Sequence, residues 1–186
     1  MIELIRKPLL DTHIREIRRC FGIARLPVDE DALLKLYRAK DYASMVRFVR
    51  AAYQLSVPVT LGLVNKGGPS DAAAFLETEV RGRTPVKFTL YIHKSFLAEH
   101  EFEEVVIAIS HEVSHIFLRI QSHPLNNHEE AVDLTAMLFG FRDFYVTSCE
   151  TSKVIDNPLG GQIQRQCRVG YLSRAEAIYA AVALSC

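Results

Sequence analysis

The sequence predicts an α+β fold: a mostly helical domain with a small, mainly antiparallel three-stranded sheet. Apolar residues recur at spacings of three and four through residues 9–53, 101–140 and 173–184, the period of helices packed on a core. Residues 57–93 switch to apolar–polar alternation, the period of strands. At 186 residues, one domain over 1–186 is expected. It divides into a helical scaffold at 1–55, the sheet at 56–94, a helical pair at 101–140, and a loop with a closing helix at 147–186.

Residues 9–20 read as a first helix, Ile14 and Ile17 inward and Arg15, Arg18 and Arg19 outward. Pro27 ends the loop that follows. A second helix over 29–39 opens on acidic residues and offers Leu33, Leu34 and Leu36 to the core. Asp41 suits the N-cap of a third helix, whose stripe is Tyr42, Met45, Val46, Val49 and Tyr53. Strands are expected at 57–64, with Pro58 near its start, at 75–80, and at 86–93, where Val86, Phe88, Leu90 and Ile92 share a face. Loop composition marks 65–71, and 81–85 reads as a turn.

Residues 101–120, EFEEVVIAISHEVSHIFLRI, form a helix too apolar to face water on more than a narrow strip. Set into it is His111-Glu112-Val113-Ser114-His115, an H-E-x-x-H pattern. Two His four apart lie about 40° apart around a helix and one turn along it, so both imidazoles can reach one ion. Glu112 then stands beside that ion, where it can take a proton from a water molecule. Such a pentad also arises by chance. Its weight here comes from the apolar setting, where two imidazoles and a carboxylate are costly without partners. The chemistry expected is Zn²⁺-dependent amide hydrolysis.

A catalytic zinc site needs a third protein ligand and an open position. After a turn-rich loop at 121–128, a helical pattern over 129–140 places Glu129 and Asp133 on one face, and Gly140 suits its terminus. Glu129 is the expected third ligand, with Glu130 as its rival. Asp133 is the expected partner for a ligand's second ring N–H. An acidic first turn favoured by the helix dipole would explain two carboxylates but not Asp133 in an apolar segment. His93, His100, His123 and His128 read as surface or loop residues, with His128 close enough to influence a bound water.

HEVSH followed by EEAVDLTAMLFG resembles the gluzincin metallopeptidases, whose second helix carries E-x-x-x-D or E-x-x-x-N. Thermolysin-like enzymes share that scheme but are much larger. The short spacing is more similar to the ImmA/IrrE-type metallopeptidases, with a distant similarity to the membrane peptidases that have E-x-x-A-D. The resemblance spans roughly residues 86–141 and implies a zincin-like domain. It places His111, His115 and Glu129 at the ligand positions, Glu112 as base, and Asp133 behind the ligands. Val132 precedes Asp133 where the larger relatives often have Ala, which leaves the subfamily open. A regulatory protein target, such as a transcriptional repressor, is implied in the same way. So is an extended substrate held along a sheet edge.

Residues 141–146 are aromatic-rich and should pack on the zinc-binding helices. Residues 147–166, with Asn157-Pro158 and Gly160-Gly161, read as a long loop. Ser173 and Glu176 form a capping box for a last helix presenting Ala177, Ile178, Ala181, Val182 and Leu184. Arg165, Arg168 and Tyr171 are the downstream candidates to stabilise an oxyanion.

With 22 basic and 22 acidic residues the net charge is zero, which counts against a nucleic-acid or anionic-lipid partner. The N-terminus reads as no signal peptide, no run approaches a spanning helix, and the scattered cysteines (20, 149, 167 and 186) include no C-x-x-C pair. A cytoplasmic location with reduced thiols is therefore expected. The expected function is a zinc-dependent metallo-endopeptidase acting on a protein substrate. The alternative is a zinc-containing regulatory or binding module without proteolytic activity, but an intact Glu112 favours the enzyme, since structural zinc sites need no base.

Overall fold

The computed structural model describes residues 5–65, 73–82, 84–156 and 162–185, with side chains except those of 84 and 153–167. Three helices come first: α1 (Lys7–Phe21), α2 (Glu30–Arg38) and α3 (Tyr42–Ala52). Asp29 and Asp41 cap α2 and α3 by accepting from the Ala32 and Ser44 amides, each at 3.0 Å. Ile14 and Ile17 face inward on α1, joined by Leu10 and His13. On α2 Leu33 alone is fully buried, while Leu34 and Leu36 pack at the core's margin.

The sheet comprises β1 (Val59–Val64), β2 (Ala74–Arg81) and β3 (Thr84–His93), in the order β1-β3-β2. The β2–β3 pair is an antiparallel hairpin, but β1 pairs with β3 in parallel. The sheet is therefore mixed, which corrects the mainly antiparallel arrangement expected. Strand alternation fixes which face is buried but carries no mark of pairing direction. Phe88, Leu90 and Ile92 are fully buried on β3. Pro85, which lacks an N–H, sits beside the register shift between Glu79 and Val80, where the ladder is already interrupted. Apart from Asn65, the loop expected at 65–71 lies outside the described residues.

After a short α4 (Lys94–Glu99) comes the central helix α5 (Phe102–Ile120). Glu101 and Glu104 close a capping box at its start. It then buries apolar side chains around nearly its whole circumference, against α3, α6, α7, β2 and β3. Ile107 and Ile109 are fully buried, and truncating either to Ala should cost about 2–5 kcal/mol. From the far side, the Tyr53 hydroxyl lies 2.6 Å from Ser114 Oγ and donates to the Ser110 carbonyl at 3.2 Å, fixing the turn that carries the paired histidines.

A 3₁₀ turn (Pro124–Asn127) leads to α6 (Glu129–Ala136), a π-helical stretch (Met137–Phe141) and α7 (Arg142–Ser148). Gly140 does not end the chain's helical path but kinks it. Its φ is +101°, and a Cβ there would meet the Leu26 carbonyl at 2.6 Å. Only glycine lets residues 25–28 pass so closely, with the Arg25 amide donating to the Leu138 carbonyl at 2.8 Å.

The long loop expected at 147–166 is corrected. α7 runs to Ser148, and β4 (Glu150–Asp156) pairs antiparallel with β5 (Gln162–Arg168). These strands are mostly polar, so no alternation of hydrophobicity announced them. The last helix, α8 (Arg174–Ser185), opens on the expected Ser173–Glu176 box, with reciprocal contacts of 3.3 and 3.1 Å. Ala177, Ala180 and Leu184 face the core, whereas Ile178 and Val182 are exposed. No helix is long and apolar enough to cross a membrane among the described residues.

Candidate metal centre

His111 and His115 occupy successive turns of α5, and Glu129 is the first residue of α6. Their donor atoms converge. The two Nε2 atoms are 3.1 Å apart, and Glu129 Oε2 lies 3.2 Å from that of His111 and 3.1 Å from that of His115. Tetrahedral zinc with bonds of about 2.0–2.1 Å needs donors about 3.3 Å apart, close to these spacings.

Hydrogen bonding sets the tautomers. A carboxylate and a carbonyl only accept, so His111 Nδ1–H donates to Asp133 Oδ1 at 2.7 Å and His115 Nδ1–H to the Asn126 carbonyl at 3.3 Å. In neutral rings both Nε2 atoms therefore carry lone pairs, aimed at each other and at a carboxylate. Three acceptors packed so closely repel unless a cation or a proton lies among them. Without an ion, a proton takes that role. Burial pulls the His111 pKa down, but the bonds to Asp133 and Glu129 prevail and raise it to about 10. The bonds from His111 and His115 hold Glu129 down at about 2. The residues present thus fit a divalent cation in donor type, spacing and charge.

Asp133 is fully buried and is the anchor behind the site. It accepts four hydrogen bonds, from His111 Nδ1 (2.7 Å), the Tyr145 hydroxyl (3.0 Å), and the amides of Tyr171 (2.6 Å) and Leu172 (3.1 Å). The latter pair needs the chain to turn at Gly170 (φ +88°), where a Cβ would stand 3.0 Å from Asp133 Oδ2. Glu130 turns away from the imidazoles and pairs with Arg6, which also grips Glu176 at 2.8 Å and the Tyr171 carbonyl at 3.2 Å. Of the two candidate carboxylates, the structure brings only Glu129 to the histidines.

Glu112 lines a cleft of about 430 Å³ together with His111, Ala74, Phe96, Arg168 and Tyr171. Burial raises its pKa above the usual carboxylate range, against the pull of His111 and His115. Ala74 begins β2, an edge strand of the sheet, so a strand edge reaches the cleft beside Glu112. The Tyr171 ring stacks on that of His111, centroids 5.4 Å apart and planes 22° apart. Burial and then the neighbouring carboxylates Glu129, Asp133, Glu112 and Glu130 raise its phenol pKa, so it keeps its proton. Arg168 pairs with Glu150 at the cleft's rim, and the side chain of Arg165 lies outside the described residues. His93 and His100 also line the cleft. His128 instead precedes α6 at its N-terminus, its ring edge-on to that of His13 at 5.2 Å.

Sequence reasoning left two contributors without a role: Arg6, whose partners are 124–170 residues away, and the Tyr171 and Leu172 amides, which carry no residue-type signal. No protein-family model, curated protein or solved structure matches this chain, so the likeness to gluzincins rests on the motif residues themselves.

Proposed function

We propose that the protein is a zinc-dependent metallo-endopeptidase in which His111, His115 and Glu129 hold the ion. The observation carrying this reading is the convergence of three lone-pair donors beside a partly desolvated glutamate that opens on a cleft. Zinc bound there would supply Lewis acidity, polarising a carbonyl and making water more acidic. Asp133 keeps the His111 hydrogen on Nδ1 and so keeps Nε2 free to coordinate. Glu112 takes a proton from the attacking water and returns it to the leaving amine. Tyr171, a phenol on the open side of His111, donates a hydrogen bond to the developing oxyanion. The substrate is an extended segment of a protein, adding as a strand to the free edge of β2.

The test is cleavage of a peptide library and of candidate protein substrates, with and without chelator. Glu112→Gln should keep the metal and abolish turnover, and Tyr171→Phe should keep the metal and lose about 10²–10³ in rate. Hydrolysis that survives Glu112→Gln would reject the mechanism. Zinc binding without hydrolysis of any substrate would leave the regulatory-module alternative.

A further inference from the structure

We propose that Glu16, Cys20 and His123 form a second divalent-metal site, separate from the one at His111, His115 and Glu129 and independent of the peptidase reading. A carboxylate oxygen of Glu16, the sulfur of Cys20 and a ring nitrogen of His123 all lie within 4.8 Å of one another. Glu16 and Cys20 are neighbours on one face of α1, with Cys20 Sγ 3.8 Å from Glu16 Oε1. His123 comes from the turn after α5 and is only 6% exposed. Its Nδ1, nearer its own backbone, accepts from the Leu125 amide at 3.3 Å. Its Nε2, at the far side of the ring, is buried and has no partner. The ring packs on Phe21, the last residue of α1, at 5.2 Å between centroids, so His123 lies against the helix that carries Glu16 and Cys20.

An unpartnered buried imidazole nitrogen is costly, and a cation is one way to satisfy it. The donor set of thiolate, imidazole and carboxylate suits zinc and similar borderline ions, with remaining positions open to water. On binding, the Cys20 thiol loses its proton to solvent, and the His123 ring proton moves to Nδ1, giving up the long Leu125 contact. Arg19, which grips Glu16 at 2.6 and 3.1 Å, swings outward, which its 70% exposed side chain permits. An ion there clips α1 to the turn that leads into Glu129.

The test is titration of the full chain with Co²⁺ under reducing conditions, followed by absorption spectroscopy. The first site contains no sulfur, so a thiolate-to-cobalt charge-transfer absorption reports only a cysteine ligand. The expected result is two equivalents of cobalt with that absorption. Cys20→Ser should lose the absorption and one equivalent, and Glu16→Gln should weaken binding of that equivalent at least tenfold; Cys20 is exposed and Glu16 half-buried, so neither change should threaten the fold. Cobalt binding without thiolate absorption, or absorption that persists in Cys20→Ser, would overturn the proposal.

Discussion

Replacing Asp133 by Asn changes one atom and should weaken both metal affinity and stability. The amides of Tyr171 and Leu172 are fixed donors to Oδ2, so the new carbonyl must face them and the new NH₂ must take the place of Oδ1. There it meets the Tyr145 hydroxyl, which can rotate and accept, and His111 Nδ1, which can accept only after giving up its hydrogen. In the metal-free parent the charged His111 ring already carries a hydrogen on Nε2, 3.2 Å from Glu129 Oε2, and in the variant the ring keeps that one alone. The metal-free protein keeps its hydrogen bonds but loses the charge assistance between His111 and Asp133, and its stability should fall by about 1–3 kcal/mol. Zinc demands the opposite tautomer, which sets the NH₂ against a ring N–H. One buried donor facing another costs about 1–3 kcal/mol, roughly ten- to hundredfold in affinity. The assay is competition for Zn²⁺ against a chromophoric chelator, alongside urea unfolding of the metal-free protein. Tyr145→Phe is the control: it removes a bond to the same oxygen without changing the tautomer, so affinity should stay within a few-fold. Asp133→Asn binding zinc within threefold of the parent would refute the reasoning.

Two further outcomes follow from the packing. Burial opposes ionisation of Glu176, but Arg6 and the Ser173 and Arg6 amides prevail and hold its pKa at about 2. A depressed carboxylate contributes stability above its unfolded pKa of about 4.3 and loses it as pH falls towards 2. Allowing for the half-exposed Arg6, that contribution is about 2 kcal/mol. Metal-free parent protein should therefore lose about 2 kcal/mol more than Glu176→Gln between pH 5 and pH 2 in urea unfolding, and equal losses would contradict it. Gly140→Ala combines a left-handed φ with a 2.6 Å approach to the Leu26 carbonyl and should cost about 2–4 kcal/mol by thermal unfolding. A loss under 1 kcal/mol would mean the kink is not under that constraint.

Helical periodicity made α5 and α6 legible in the sequence, because apolar neighbours fix which face each polar residue takes. His111, His115, Glu129 and Asp133 each interrupt an apolar run or open one, so their meeting could be anticipated. Glu129 was preferred to Glu130 from the sequence, but what separates them in the fold, Arg6 drawing Glu130 away, lies far along the chain. The parallel partner of β1 was hidden for a similar reason: alternation is the same in either direction. The β4–β5 ribbon was missed because its mostly polar strands carry little hydrophobic pattern. Tyr171 was one of three candidates by residue type, and only the amides bound to Asp133 set its ring on His111.

The most direct test of the metal centre is the zinc content of purified protein in a Cys20→Ser background, which excludes any ion held by that thiol. One zinc per chain is predicted, retained in Glu130→Ala and lost in Glu129→Ala. Full zinc in Glu129→Ala, or none in the parent, would contradict the assignment of the three converging donors as a metal site.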